Sequence, residues 1–306
     1  MLDVADVDAL CAGAALSRQD PRPGTALHVR RFLLIEHPGP WPFHALEADG
    51  LEPEVVAALV TVTRRAGART LLIRRPGRRR VQERRRWGVV DVVGGRSRWG
   101  TWTEPTDLLA ARAVLESPSD DWSDEPLVLV CAHGRHDTCC AVRGRPVAAV
   151  LAGSAGVPVW ECTHVGGDRF AANVLVLPDG ALYGGLDAPS ADHVVRRHLE
   201  GAVSPEHLRG SSRLAPAAQA VEVAAHHRWG PGPADAVESG AVVVVERGHR
   251  WSVRLRCRAP LPRVVEARVV AHRREPAVLT CRAPAAAASV EYVVEDLHAA
   301  DLPDGP

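Results

Sequence analysis

Apolar positions along this chain fall into short continuous runs that alternate with stretches of helical period, the pattern of strands exchanging with helices. The run "ALHVRRFLLIEH" (26–37) is rich in β-formers and stops at the turn sequence "PGPWP". "EPEVVAALVTVTRRAGA" (52–68) carries an apolar stripe and ends on glycine, which predicts a helix. "RTLLIRR" (69–75) then predicts a short buried strand. Strand–helix–strand in that order predicts an α/β layer joined by a crossover. Another strand is expected over "WGVVDVVGG" (87–95) and a helix over "EPTDLLAARAVLES" (104–117).

From 125 onward the signals sharpen. "EPLVLVC" (125–131) predicts a strand, "VRGRPVAAVLAGSAG" (142–156) a helix closed by glycine, and "VPVWEC" (157–162) a strand. "AANVLVLPDGALYGG" (171–185) predicts a hairpin turning at Asp-Gly. "SADHVVRRHLEG" (190–201) predicts a helix with Ser190 as its N-cap. The expected order is therefore β-α-β-β-β-α. The polar, breaker-rich "AVSPEHLRGSSRLAP" (202–216) reads as a linker. A helix (215–230) and three or four β-runs follow it, predicting a small separate α+β unit.

The chain has 306 residues and is 46% hydrophobic, ample for a sizeable core in one large or two ordinary domains. Acidic and basic residues balance at 37 each, so no global field draws it to nucleic acid or membrane. Every basic residue among them is Arg, a bias that by itself implies no phosphate binding. The Arg-rich stretch 74–86 has no DNA-binding motif around it and reads as a solvated loop. The N-terminus carries early aspartates, Asp3, Asp6 and Asp8, and no basic stretch, unlike a secretory signal, and no apolar run reaches a membrane span. A reducing, cytoplasmic setting is expected, where clustered cysteines point to metal or catalysis rather than disulfides.

The cysteines cluster at "CAHGRHDTCCA" (131–141), directly after the strand 125–131. Cys139 and Cys140 are adjacent, with Cα atoms about 3.8 Å apart. A disulfide usually spans ~4.4–6.8 Å, so that pair makes a poor redox dithiol. Cys131 and Cys140 bracket a loop and can converge. A second loop, "WECTHVGGDRFAAN" (160–173), offers Cys162, His164 and Asp168 around Gly166 and Gly167. Thiolates with an imidazole fit zinc or an iron–sulfur cluster better than magnesium or calcium, and ligand type alone does not separate the two. His133 and His136 are expected to surround the site or face solvent rather than bind metal. Arg143, Arg145 and Arg169 flank it, either balancing its charge or simply solvated. Cys11, Cys257 and Cys281 lie far away in sequence and read as structural. "GRPVAAVLAGSAG" lacks the glycine spacing and the Lys-Ser/Thr ending of a phosphate loop.

The blocks "CAHGRHDTCCAVRGRPVA" and "VWECTHVGGDRFAANVLVLPDGALYGGLD", with "RFLLIEHPGPWP" upstream, resemble the sucrase/ferredoxin-like family over about 25–205. The resemblance implies an α/β fold with a thioredoxin-like core, the cluster-bearing part at about 120–205, and extra N-terminal α/β elements completing a region 1–205. Residues 206–306 would form the small C-terminal α+β domain. It also implies a [2Fe-2S] cluster at the strand ends and an electron-carrier role with protein redox partners, without nucleic acid or membrane; a homodimer is an allowed assembly. Members of the family use two cysteines on the first loop and two histidines four apart on the second. Cys131, Cys140 and His164 match that pattern, while Asp168 stands where the second histidine would be. The fourth ligand is then Asp168, Cys162 or Cys139. Sucrose hydrolysis is not implied, because no pair of carboxylates stands in a glycosidase setting. A structural zinc module and a thiol oxidoreductase with Cys131 or Cys140 as nucleophile remain the alternatives.

Overall fold

The computed structural model describes residues 9–77, 83–116, 121–238, 242–245 and 249–301. The opening strand, β1 (Arg31–Glu36), connects through helix α2 (Pro53–Arg65) to β2 (Ala68–Arg74), and the two strands pair in parallel, as the crossover pattern requires. Pro53 starts α2, where a missing N–H leaves no hydrogen bond unmade. The continuous apolar run in β1 is explained by burial on both faces. Phe32 and Leu34 enter one core; Leu33 and Ile35 enter another, against Val55, Leu59 and Val62 of α2. β3 (Arg85–Asp91) pairs antiparallel with β1.

Two elements escape the periodicity reading. A short helix α1 (Cys11–Ser17) precedes β1, and β4 (Arg96–Trp102) forms a hairpin with β3. The helix expected at 104–117 divides into a 3₁₀ turn, Pro105–Leu109, and α3 (Ala110–Glu116). Of the Arg-rich stretch, residues 78–82 lie outside the described residues. At its described ends Arg74 closes β2 and Arg85 and Arg86 open β3, while Arg75, Gly77, Glu83 and Arg84 are exposed as a solvated loop would be; Arg75 lies over Trp160, Arg85 over Trp102 and Arg86 over Trp99. Arg74 lies over Trp41 and pairs with Glu161 at 2.7 Å. Guanidinium planes gain from aromatic faces what loop solvation would otherwise supply.

The next segment has the expected order. β5 (Leu127–Cys131), α4 (Thr138–Ser154), β6 (Val159–Cys162), β7 (Val174–Leu177), β8 (Ala181–Tyr183) and α5 (Ala188–Leu199) follow one another. β5 and β6 are parallel, β7 runs antiparallel to β5, and β8 antiparallel to β7. Helix α4 begins four residues before the expected start and takes Cys139 and Cys140 into its first turn. Asp137 caps it, accepting the Cys139 N–H at 2.8 Å. In α5 the N-cap is Asp187 rather than Ser190. Ser190 is the reciprocal partner of that cap, with Oγ accepting the Asp187 N–H at 2.9 Å.

The expected linker at 202–216 contains a strand, β9 (Leu208–Ser211), paired with β8 at the edge of the large sheet. That nine-stranded sheet has the order β4-β3-β1-β2-β6-β5-β7-β8-β9. Its breakers did not mean exposure: Ser204, Arg209, Ser211 and Ser212 are all buried, and the side chains of Arg209 and Ser211 make polar anchors. Helix α6 (Pro216–Trp229) lies between this edge and a four-stranded antiparallel sheet of β10 (Val242–Val245), β11 (Arg250–Arg256), β12 (Val264–Arg273) and β13 (Val290–Ala300). Glu222 of α6 accepts the Ser211 N–H at 2.7 Å, while Val221 and Ala225 join Val253, Leu255 and Val269 in the core of the smaller sheet. Cys257 is buried in that core, the structural role expected of it. No described helix is long and apolar enough to cross a membrane.

Candidate metal centre

The carboxyl ends of parallel strands are where α/β sheets present ligands, because the chain there turns out of the ladder with free backbone groups. β5 ends at Cys131 and β6 at Cys162, paired side by side in the sheet. The loop after β5 leads into α4, and Gly144 lets that helix press on the strand end: a methyl group there would overlap the Cys131 carbonyl oxygen. This close approach brings Cys140, on the first turn, against Cys131.

The loop after β6 is held by two anchors. Thr163 exchanges hydrogen bonds with Leu72 of β2, its N–H donating to the Leu72 carbonyl at 2.9 Å and its Oγ1 accepting the Leu72 N–H at 3.0 Å. Gly166 and Gly167 both have positive φ, +84° and +73°, which lets the chain reverse and return Asp168 toward His164. Arg209, reaching in from β9, is fully buried beneath this reversal. Its Nη1 donates to the Gly166 carbonyl at 2.9 Å and to Asn173 Oδ1 at 2.8 Å, and its Nε to Thr25 Oγ1 at 3.1 Å. Asn173 Nδ2 in turn donates to the Gly167 carbonyl at 3.0 Å.

Donor atoms of Cys131, Cys140 and His164 lie within 4.8 Å of one another. Asp168 joins them from the far side. Its Oδ1 accepts from the Cys140 thiol at 3.2 Å and lies 2.9 Å from His164 Nδ1, off the line of a hydrogen bond. His136 forms a further such group with His164 and Asp168, its ring stacked on His164 at 3.9 Å. His133 is turned elsewhere, its Nε2 2.7 Å from the Pro42 carbonyl. Of the expected residues, Cys131, Cys140, His164 and Asp168 are thus brought together. Cys162 is buried beside Cys131 but belongs to none of these donor groups, and Cys139 points away on the other side of the helix. Arg169 lies 3.4 Å from Asp20 rather than facing the thiols.

The electrostatics follow from the packing. Hydrogen bonding from Cys140, opposed by burial and aided by His164 and the Val165 N–H, pulls the Cys131 thiol down to about 5. Cys140 is pushed well up by the neighbouring Cys131 thiolate, by burial and by the Asp168 carboxylate. Burial would lower His164, but Asp168 and Cys131 outweigh it and hold the imidazole at about 9. For Asp168, burial is overcome by His164, and its carboxyl falls below its ordinary range. The arrangement favours a thiolate, an imidazolium and a carboxylate converging in a buried place; with the ring proton displaced by a metal they make a donor set suited to a thiophilic ion.

Sequence reasoning missed two contributors. Asp137 was legible in principle, as a capping residue two positions before Cys139. Arg209 had no local signal, since its role arises only when β9 folds against the glycine loop.

The fold and site together define a mixed α/β protein with a buried, cysteine-rich, metal-capable centre at its strand ends. The chain belongs to the sucrase/ferredoxin-like family, which matches residues 23–210. No curated protein and no solved structure matches it.

Proposed function

We propose that the protein is an electron carrier that holds a [2Fe-2S] cluster through Cys131, Cys140, His164 and Asp168. The observation that carries this reading is the convergence of two thiols, an imidazole and a carboxylate from two loops at adjacent parallel strand ends. The order β6-β5-β7-β8, with β7 antiparallel to β5, supports a thioredoxin-like core around them. Membership of a family named for ferredoxin agrees. The donor set fits the group chemically: thiolates are the usual iron–sulfur ligands, and imidazole replaces thiolate in high-potential centres.

When bound, such a cluster supplies a one-electron couple. The chain's own residues set its surroundings. Two thiolates and a carboxylate bring three negative charges, and the buried guanidinium of Arg209 interacts with Cys131, Cys140 and Asp168 to offset them. Burial of Cys131 and Cys140 keeps water from the sulfurs. His164, His136 and Phe43 form a stack, with ring centroids 3.9 and 4.9 Å apart, that ends at Phe43, 47% exposed. A protein donor or acceptor of electrons would dock on that side, in a reducing, cytoplasmic setting.

A second reading rests on a specific observation: the lowered Cys131 thiol beside a raised His164 is the pairing that activates a nucleophilic cysteine. Both thiols are buried, which argues against a substrate reaching them. Anaerobic purification with iron, acid-labile sulfide and zinc analysis separates the possibilities. A red-brown protein with matched iron and sulfide is expected. Colourless protein carrying zinc at Cys131 and Cys140 would replace the carrier by a structural module, and metal-free protein with an alkylation-prone Cys131 would make it a thiol enzyme.

A further inference from the structure

Cys139 points away from the strand-end centre because successive residues on a helix project in different directions, about 100° apart. What it meets there was read from the sequence as unrelated structural cysteine. Cys11 of α1 and Cys281, in the segment between β12 and β13, arrive from opposite ends of the chain. Cys139 Sγ lies 3.6 Å from Cys11 Sγ and 3.3 Å from Cys281 Sγ, and the latter two are 3.4 Å apart. Asp137 completes the group: all four donor atoms lie within 4.8 Å of one another, and three of the four residues are buried.

We propose that Cys11, Cys139 and Cys281, with the Asp137 carboxylate in the fourth position, form a second metal site for a thiophilic divalent ion, Zn²⁺ being the natural occupant. Three mutual sulfur separations of this size describe one small ion. Thiolates at about 2.3 Å from a tetrahedral zinc stand roughly 3.8 Å apart. The sulfurs are also well beyond the ~2.05 Å of a disulfide, and a disulfide would use two of the thiols and strand the third.

The surroundings are those of a built site. The Ala12 N–H donates to Cys139 Sγ at 3.4 Å. The N–H groups of Cys139 and Cys281 fix the two Asp137 oxygens at 2.8 and 2.6 Å, which orients the carboxylate as metal-bound carboxylates are oriented. Three thiolates and a carboxylate on a divalent ion leave two negative charges, and they sit at the positive end of the 17-residue helix α4. Arg169 lies close enough to interact with Cys11. Contacts spanning 128, 142 and 270 residues of sequence would be fastened at one point, against the helix end that also carries Cys140. The ion would be structural, since four protein donors leave no open position.

The test uses the full-length protein. Purified with zinc, it is expected to hold one zinc per chain in addition to any iron, and Co²⁺ exchanged for it should show thiolate-to-cobalt charge transfer. A Cys131→Ser/Cys140→Ser variant should keep that zinc while losing iron; a Cys11→Ser/Cys281→Ser variant should lose the zinc. Because the latter also removes the buried Cys11 thiol from the fold, the wild type carries the test as well. Cys11, Cys139 and Cys281 should be protected from iodoacetamide when loaded and be alkylated after chelation, read by peptide mass spectrometry. Zinc absent from wild type, zinc lost with Cys131 and Cys140 alone, a disulfide among the three cysteines, or alkylation unchanged by chelation would each overturn the site.

Discussion

At the residue scale the ligand identities are open to direct trial. Replacing Cys131 or Cys140 by Ala is expected to abolish visible absorbance, whereas Cys257→Ala, in the core of the smaller sheet, should leave it intact. Iron retained in full by both of the first two variants would remove them from the centre. Asp168 is the donor in contact with Cys140 and beside His164, and Cys162 is in none of the donor groups. Asp168→His should therefore keep the cluster and raise its reduction potential, because a neutral donor replaces an anionic one. Cys162→Ser should leave the spectrum nearly unchanged, and redox titration of both variants decides between them. The residue types here were legible in the sequence; the sorting of Cys139 from Cys140 was not, since neighbours in sequence separate only once a helix is formed beneath them.

Among the elements, α4 and the β7–β8 hairpin make the sharpest claims. Gly144 is unfavourable in a helix interior by about 1 kcal/mol relative to Ala. Its value lies in the contact with the Cys131 carbonyl. Gly144→Ala should push α4 off the strand end, destabilise the fold by about 1–3 kcal/mol through overpacking, and reduce metal content. Urea unfolding and metal analysis of the variant check both. In the hairpin, Asp179 accepts the Ala181 N–H at 3.1 Å and lies 2.8 Å from Nε2 of His198, whose Nδ1 meets the Tyr183 hydroxyl at 2.8 Å. Burial would raise the Asp179 carboxyl, but His198 and the Ala181 N–H outweigh it and hold it below its ordinary value. A depressed carboxyl stabilises the fold above its unfolded pKa of about 3.9 and loses that contribution as pH falls through the folded value. The stability margin of wild type over Asp179→Asn should accordingly shrink as pH drops below about 4, measured by chemical denaturation across pH. The hairpin itself was readable from Asp-Gly between apolar runs, but its pinning to α5 was not, because a periodic pattern carries no register between distant segments.

For the molecule as a whole, the question is where the large sheet ends. The stretch 202–216 has the composition of a linker, yet it contributes β9 and the buried Arg209 that holds the Gly166–Gly167 reversal. A chain ended at residue 205 would lack both. It is expected to melt well below the full protein and to hold less metal, since deleting a buried, hydrogen-bonded charge leaves its partners unsatisfied. Arg209→Ala should reproduce much of the effect, with a loss of about 3–5 kcal/mol. If the chain ended at 205 keeps its metal and its melting temperature, the domain boundary at 205 stands and β9 is dispensable.

The strand–helix alternation, the β-α-β-β-β-α order from 125 to 201 and the two ligand-bearing loops were determined by the sequence itself. These depend on local periodicity, turn residues and the chemical types of side chains, all written within a few residues of one another. What only the tertiary structure decided is non-local. It placed Arg209 under a loop some forty positions earlier, turned Cys139 away from Cys140, and gathered Cys11 and Cys281 onto one helix end. Solvent-like composition at 202–216 misled because polar side chains can be buried wherever packing supplies a carboxylate or a carbonyl. Those partners come from elsewhere in the chain, and only folding brings them within reach.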